Sequence, residues 1–256
     1  MSAFREPQQG YSEAERRARA DLAACHRLAS RFGFSEGIDN HLTMLVPGRA
    51  DRFYLAPFGL LWSEVKASDF LELDFSGATV AGEGLVEDTA LYIHLSVHRL
   101  KPQASCVLHT HMPYATALSM LEDPRLHMAG QNAIGFHEDI AYADYRGLAL
   151  DYGEGERLAR ALGEKSVLML RNHGVLVTGR SAAQAFERLY FLERACQAQV
   201  LALGTGGKLH VLPDAVVQAT LAQFQSTERV GGEERTELHF GALKRLLDRS
   251  DADYAS

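Results

Sequence analysis

Two apolar runs in this chain end in histidine, and any fold it adopts must account for both. Ala104-Ser105-Cys106-Val107-Leu108 leads into His109-Thr110-His111, and Val167-Leu168-Met169-Leu170 leads into Arg171-Asn172-His173-Gly174. Side chains two apart on a strand point to the same face, so His109 and His111 can present two imidazoles to one ion. His173 would complete a facial triad. Three neutral imidazoles hold a divalent ion such as zinc at about 2.0–2.1 Å and leave positions open for water or substrate, as a catalytic site requires. The His-x-His pair alone reads equally well as two hydrogen-bonded histidines near a strand end. The surroundings favour a metal: Pro113 ends the first strand at a sheet edge or mouth, and Asn172-His173-Gly174 is a tight corner between two apolar runs.

Local pattern fills in the rest. Ser12-x-x-Glu15 is a capping-box signal, and Ala18, Leu22, Cys25, Ala29 and Phe32 recur at helical spacing up to Gly33. Residues 41–46, 52–56 and 70–75 read as short strands separated by Pro47-Gly48, Pro57-Phe58-Gly59 and Ser76-Gly77. A helix is predicted from Asp88 to Leu100 with Ala90, Ile93, Val97 and Leu100 on one face, and another over 113–122. After a loop-rich middle come helix 154–162, strands 167–170 and 175–177, and a long helix capped by Ser181-x-x-Gln184 and broken at Gly204-Thr205-Gly206-Gly207. Two further helices are expected after Pro213. The glycine clusters supply no dinucleotide fingerprint after a strand. The fold class predicted is α/β, with layered helices on a largely antiparallel sheet.

A length of 256 residues with 46% hydrophobic and 23% charged residues suits one globular domain, expected over residues 12–256 with a C-terminal helical extension and an N-terminal tail over 1–11. The polar stretch Thr227–Arg235 also reads as tail-like. There is no run of about 18 apolar residues and no secretory pattern at the N-terminus, so no membrane partner is expected and the localisation predicted is cytoplasmic. A net charge of −7, with only Arg16-Arg17-Ala18-Arg19 as a basic cluster beside Glu13 and Glu15, argues against nucleic acid. Cys25, Cys106 and Cys196 lie in apolar periodic segments and read as buried free thiols.

The order of these motifs resembles the class II aldolase/adducin family over roughly residues 12–205. Its most specific pieces are Arg99-Leu100-Lys101-Pro102 leading into Val107-Leu108-His109-Thr110-His111, and Leu170-Arg171-Asn172-His173-Gly174. The resemblance implies a three-layer α/β/α sandwich, a divalent metal on His109, His111 and His173, and a homo-oligomer, commonly a tetramer. Zinc is the usual metal; manganese, cobalt and iron stay open. Two departures matter. Phosphosugar aldolases of the family carry a glutamate base where this chain has Ala90, so a base-driven retro-aldol step loses its main actor unless Glu87 or Asp88 takes over. The segments matching the phosphate contacts read Gly37-Ile38-Asp39-Asn40-His41, Pro57-Phe58-Gly59 and Asp88-Thr89. Phe58 offers no hydroxyl and Asp88 repels a phosphate dianion, which points to an unphosphorylated small-molecule substrate.

Loss of carbon dioxide delivers its own electron pair and needs no base to start, so decarboxylation of a small hydroxy/oxo or aromatic acid is the leading expectation, as in some branches of the family. Aldol cleavage is the alternative; a sugar-phosphate epimerase and an adducin-like scaffold follow. Candidates for returning the proton are His137, Tyr142 and Tyr145. His94 and His98, an i,i+4 pair, can in principle hold a second metal or simply hydrogen-bond; His98 can also contact substrate or tune the site. Asn40, Phe58, Gln131 and Arg171 are the substrate-contact candidates. Arg171 is suited to a carboxylate, and Phe58 with Trp62 to an apolar wall.

Overall fold

The computed structural model describes residues 10–225 and 232–256. Most of the expected N-terminal tail and residues 227–231 of the polar stretch lie outside it. An eight-stranded sheet in the order β4-β3-β2-β1-β5-β8-β7-β6 organises the described residues. Its strands are β1 (His41–Leu45), β2 (Arg52–Leu55), β3 (Leu71–Asp74), β4 (Thr79–Ala81), β5 (Cys106–Thr110), β6 (Ile140–Ala143), β7 (Val167–Leu170) and β8 (Gly174–Gly179). All neighbours are antiparallel except β6 and β7. β4 and β6 are not expected from the sequence. Both are short edge strands: β4 is largely exposed, and Ile140-Ala141-Tyr142-Ala143 lacks the β-branched run that marks a central strand.

Helices cover both faces. Strand alternation sends Leu42, Tyr54, Cys106, Leu108, Val175 and Val177 into one cluster, with helices α1 (Glu13–Arg31), α3 (Pro113–Ser119), α6 (Ala182–Gly204) and α8 (Gly232–Ser250). Phe53, Val107, Leu168 and Leu176 go to the other face, where they meet α2 (Asp88–Leu100) and α5 (Tyr152–Leu162). Each such buried Leu or Val contributes roughly 1.5–3 kcal/mol. α5 crosses α2 at Gly155, where a side chain would strike the Tyr92 carbonyl. The short α4 (Gln131–Ile134) precedes β6, and α7 (Asp214–Gln225) precedes α8.

Local capping explains several boundaries. Ser12 Oγ accepts from Glu15 N at 3.2 Å while Glu15 accepts from Ser12 N at 2.7 Å, and Ser181 Oγ accepts from Gln184 N. α3 has no such local cap. Its first free amides, Tyr114 N and Ala115 N, donate to the buried Glu193 carboxylate of α6 at 2.8 and 2.9 Å, and the helix ends at Ser119 rather than 122. Within the basic cluster Arg16 and Arg17 are exposed, but Arg19 is not. Arg19 is 2% exposed, donates to the Ala67 and Phe70 carbonyls and lies over the Tyr54 ring. The three cysteines are free and buried.

Candidate metal centre

Antiparallel pairing of β5 with β8 brings His109, His111 and His173 together at one end of the sheet. One ligand nitrogen from each lies within 4.8 Å of the others, and the ring centroids are 4.7–5.1 Å apart. His111 follows β5 directly. His173 sits in the turn between β7 and β8, where Asn172 adopts a left-handed φ of 58°. Asparagine tolerates that conformation better than most side chains. Gly174 is required by packing: a Cβ there would lie 2.5 Å from the Thr110 carbonyl and 2.9 Å from His111 Cδ2.

Hydrogen bonds on the outer nitrogens orient two of the rings. His109 Nδ1–H donates to the Val175 carbonyl at 2.9 Å, and His111 Nδ1–H donates to the Glu36 carboxylate. Both Nε2 atoms are left as lone-pair donors. That of His111 is buried without a partner among the described residues, an arrangement costly for a polar atom unless a cation accepts its lone pair. Burial and neighbouring histidines push His109 well below the ordinary histidine range, and burial lowers His173 to about 4. Neutral, converging imidazoles are what a divalent ion needs, so these residues fit a metal.

A fourth histidine adjoins the triad. The β1–β5 register sets His41 directly opposite His109, with ring centroids 4.8 Å apart. Asn40, at φ 71°, turns the chain into β1 just as Asn172 does before His173, and its Oδ1 accepts from His111 N at 3.1 Å. Behind His41 lies a buried run of polar groups: His41 Nδ1 is 2.7 Å from His94 Nε2, His94 Nδ1 is 2.6 Å from Thr43 Oγ1, and Thr43 Oγ1 is 2.9 Å from His98 Nε2. His98 Nδ1 meets the Ala104 carbonyl at 3.0 Å. His94 and His98 therefore share Thr43. Burial lowers His41 to about 3 and His98 to about 4, so these rings are neutral at neutral pH.

The glutamate position of the phosphosugar aldolases is filled by Ala90, 0% exposed among Phe53, Leu55, Leu71 and Leu73. Glu87 does not replace that carboxylate at the metal ligands. Its Oε2 caps α2 at Ala90 N and accepts from the Thr89 hydroxyl, both at 2.6 Å, and it stands 3.8 Å from His41 Nε2. Asn40, His41, Phe58, Trp62, Glu87 and Ala90 line a narrow cavity beside the triad, and no lysine or arginine among the described residues lines it.

The other sequence candidates fall in different places. Tyr145 is 51% exposed, with its ring 5.8 Å from that of His173. Tyr142 packs toward the α6 face, where its hydroxyl accepts from Leu126 N at 3.2 Å. His137 faces α7, 3.2 Å from Gln218 Nε2. His98 is shut behind Thr43 and touches no metal candidate. Gln131 lines a separate cavity with His127 and Gln199. Arg171 donates to the Leu121 carbonyl at 3.4 Å and lies 3.7 Å from Asp144. His41, Thr43 and Glu36 were not singled out by sequence. The one local hint was the shared Asn-His step at 40–41 and 172–173.

Fold and site together describe a class II aldolase architecture with a three-histidine cluster able to hold a divalent ion. The comparisons agree: residues 20–200 match the family described as Class II Aldolase and Adducin N-terminal domain, and the chain belongs to that family. A Caulobacter vibrioides protein whose name places it in aldolase class 2, without naming a substrate, is 34% identical over 95% of this chain and 94% of its own length. Mouse alpha-adducin is 33% identical over 93% of this chain, which spans only 34% of alpha-adducin. The crystal structure of a Pseudomonas syringae aldolase II superfamily protein superposes with a TM-score of 0.89 at 35% identity, covering 97% of this chain and 99% of that one. L-fuculose 1-phosphate aldolase from Glaciozyma antarctica does so at 0.80 and 25%, covering 98% and 96%. No helix among the described residues is long and apolar enough to cross a membrane.

Proposed function

We propose that the chain is a divalent-metal-dependent carbon–carbon lyase, and that its reaction is decarboxylation of a small unphosphorylated hydroxy/oxo or aromatic acid. The observation that carries this reading is buried Ala90 at the glutamate position, with the carboxylate of Glu87 one turn earlier committed to capping α2. A bound divalent ion, zinc before manganese, cobalt or iron, would supply a Lewis acid for adjacent substrate oxygens and for the charge left when the bond breaks. His109, His111 and His173 would hold that ion, with Glu36 and the Val175 carbonyl fixing two of the rings. Phe58 and Trp62 give the cavity an apolar wall, and Glu87 on its lining disfavours a phosphate dianion. Tyr145 is the residue best placed to return a proton, since Tyr142 and His137 are engaged elsewhere. Tyr145→Phe should lower kcat at least tenfold with metal content unchanged; an unaltered kcat removes Tyr145 from this role.

The deciding experiment incubates zinc-loaded protein with a panel of hydroxy-, oxo- and aromatic acids. Carbon dioxide release that is lost in His109→Ala supports the reading. Carbonyl products without carbon dioxide would establish aldol cleavage instead. A native protein that holds no metal and turns over nothing would favour an adducin-like scaffold. We further propose a homo-oligomer, a tetramer by family resemblance; a monomer by light scattering would overturn this.

A further inference from the structure

The buried run from His41 to Ala104 takes its direction from its carbonyl end, where the contact is the shorter. A carbonyl can only accept, so His98 Nδ1 carries the proton and donates to Ala104 O at 3.0 Å. His98 Nε2 is then a bare lone pair, and Thr43 Oγ1 at 2.9 Å must donate to it. With its single proton committed, Thr43 Oγ1 accepts from His94 Nδ1–H at 2.6 Å. His94 Nε2 in turn accepts from His41 Nδ1–H at 2.7 Å. The reverse order would set the His98 Nδ1 lone pair against the Ala104 carbonyl at 3.0 Å, closer than the 3.3 Å between His41 Nε2 and Thr89 Oγ1, which is the link left without a proton here. All four residues are under 8% exposed, and none of the three rings hydrogen-bonds a carboxylate, so each buried imidazole is uncharged and has one proton to place.

The result is a fixed tautomer at the residue that adjoins the triad. His41 Nε2 is left without a proton, facing Thr89 Oγ1 at 3.3 Å, whose own proton goes to Glu87 Oε2 at 2.6 Å. Asn40, the preceding residue and also on the cavity lining, carries in Nδ2 a buried donor with no partner among the described residues. An acceptor and a donor on adjacent residues match a hydroxyl, which both donates and accepts; a carbonyl oxygen would meet the His41 lone pair with its own. We infer that Ala104, His98, Thr43 and His94 form a tautomer relay that presents His41 Nε2 as an acceptor for a substrate hydroxyl, so that the site selects hydroxy acids over the corresponding oxo acids. This rests on the lyase reading for the identity of the acid, but the relay itself does not require turnover.

Histidine-selective 15N labelling tests it, with long-range proton–nitrogen spectra of metal-free and zinc-loaded protein and His41→Gln for assignment. The expected pattern is pyridine-type Nε2 with pyrrole-type Nδ1 at His41 in both forms. Glycolate, L-lactate or mandelate should move the His41 Nε2 signal, and the hydroxy acid that does so should bind zinc-loaded protein about tenfold more tightly than its partner among glyoxylate, pyruvate and benzoylformate, as one hydrogen bond of about 1.4 kcal/mol gives. Thr43→Val should mix the His41 tautomers and erase that preference, while Thr43→Ser, which keeps the hydroxyl, should retain both. A pyrrole-type Nε2 at His41 in the wild type, or three hydroxy acids that all leave its signal unmoved, would overturn the inference. Absence of carbon dioxide release with the tautomer and hydroxyl preference intact would instead count against decarboxylation alone.

Discussion

At the scale of single residues, the candidate centre depends on what the far side of each imidazole touches. Glu36 sits outside the triad, yet its carboxylate takes the Nδ1 proton of His111 and thereby turns a buried, unpartnered Nε2 inward. Glu36→Gln keeps the shape and removes the charge, so zinc affinity measured against a competing chelator should fall about 10-fold or more, with stoichiometry at saturation unchanged. Equal affinity in the variant would mean the contact does nothing for the metal. His109, His111 and His173 were readable from sequence because strand alternation and corner residues are local signals. His41 and Glu36 were not, because His41 acquires its place from the β1–β5 register and Glu36 from a loop meeting the end of β5, and neither is encoded within a few residues of the histidines themselves.

At the scale of elements, the triad requires β8 to start close against β5, and the residue that permits this is Gly174. Its Cβ would press on the Thr110 carbonyl at 2.5 Å and on the His111 ring at 2.9 Å. Gly174→Ala should therefore cost about 1–3 kcal/mol in urea unfolding and lower bound zinc at the same time. A loss of stability with full metal content would separate the packing from the site. The same distinction between local and distant determinants governs element boundaries. α1, α2 and α6 begin at or next to the residues that pattern and capping indicate, since Ser12 with Glu15 forms a reciprocal cap and Ser181 accepts from Gln184 N, both within four residues of sequence. α3 is different: its amides are held by Glu193, 78 or 79 positions downstream, and no local pattern could have announced that. Edge strands β4 and β6 escaped for a related reason, since an edge strand need bury little and its composition carries correspondingly little signal.

At the scale of the whole molecule, the placing of several neutral histidines inside the fold determines how the protein responds to acid. His26 is separate from the triad: it is 1% exposed, donates from Nδ1 to the Leu22 carbonyl at 2.8 Å, and packs against Trp62 and Phe70. Burial lowers it to about 4, and it lowers His98 to about 4 and takes His94 well down. Between pH 6.5 and 4 the unfolded chain takes up a proton at each of these positions while the folded chain does not, so stability falls as pH falls through that window. Each group removes about 1.4 kcal/mol per pH unit, so His26 and His98 together reach about 4 kcal/mol by pH 5, a large share of the stability of many domains, and His94 acts in the same sense. Carboxylates such as Glu154, lowered by its bond to Arg157, lose their contribution at lower pH, while Glu193, raised by burial, works in the opposite sense to the histidines. Urea midpoints from pH 7.5 to 5 should therefore drop steeply, and His26→Phe, which fills the same aromatic pocket without a titrating group, should flatten the slope by about one group's share. Parallel slopes for the wild type and His26→Phe would mean that His26 does not remain neutral in the fold, and the acid response would have to be assigned to other groups.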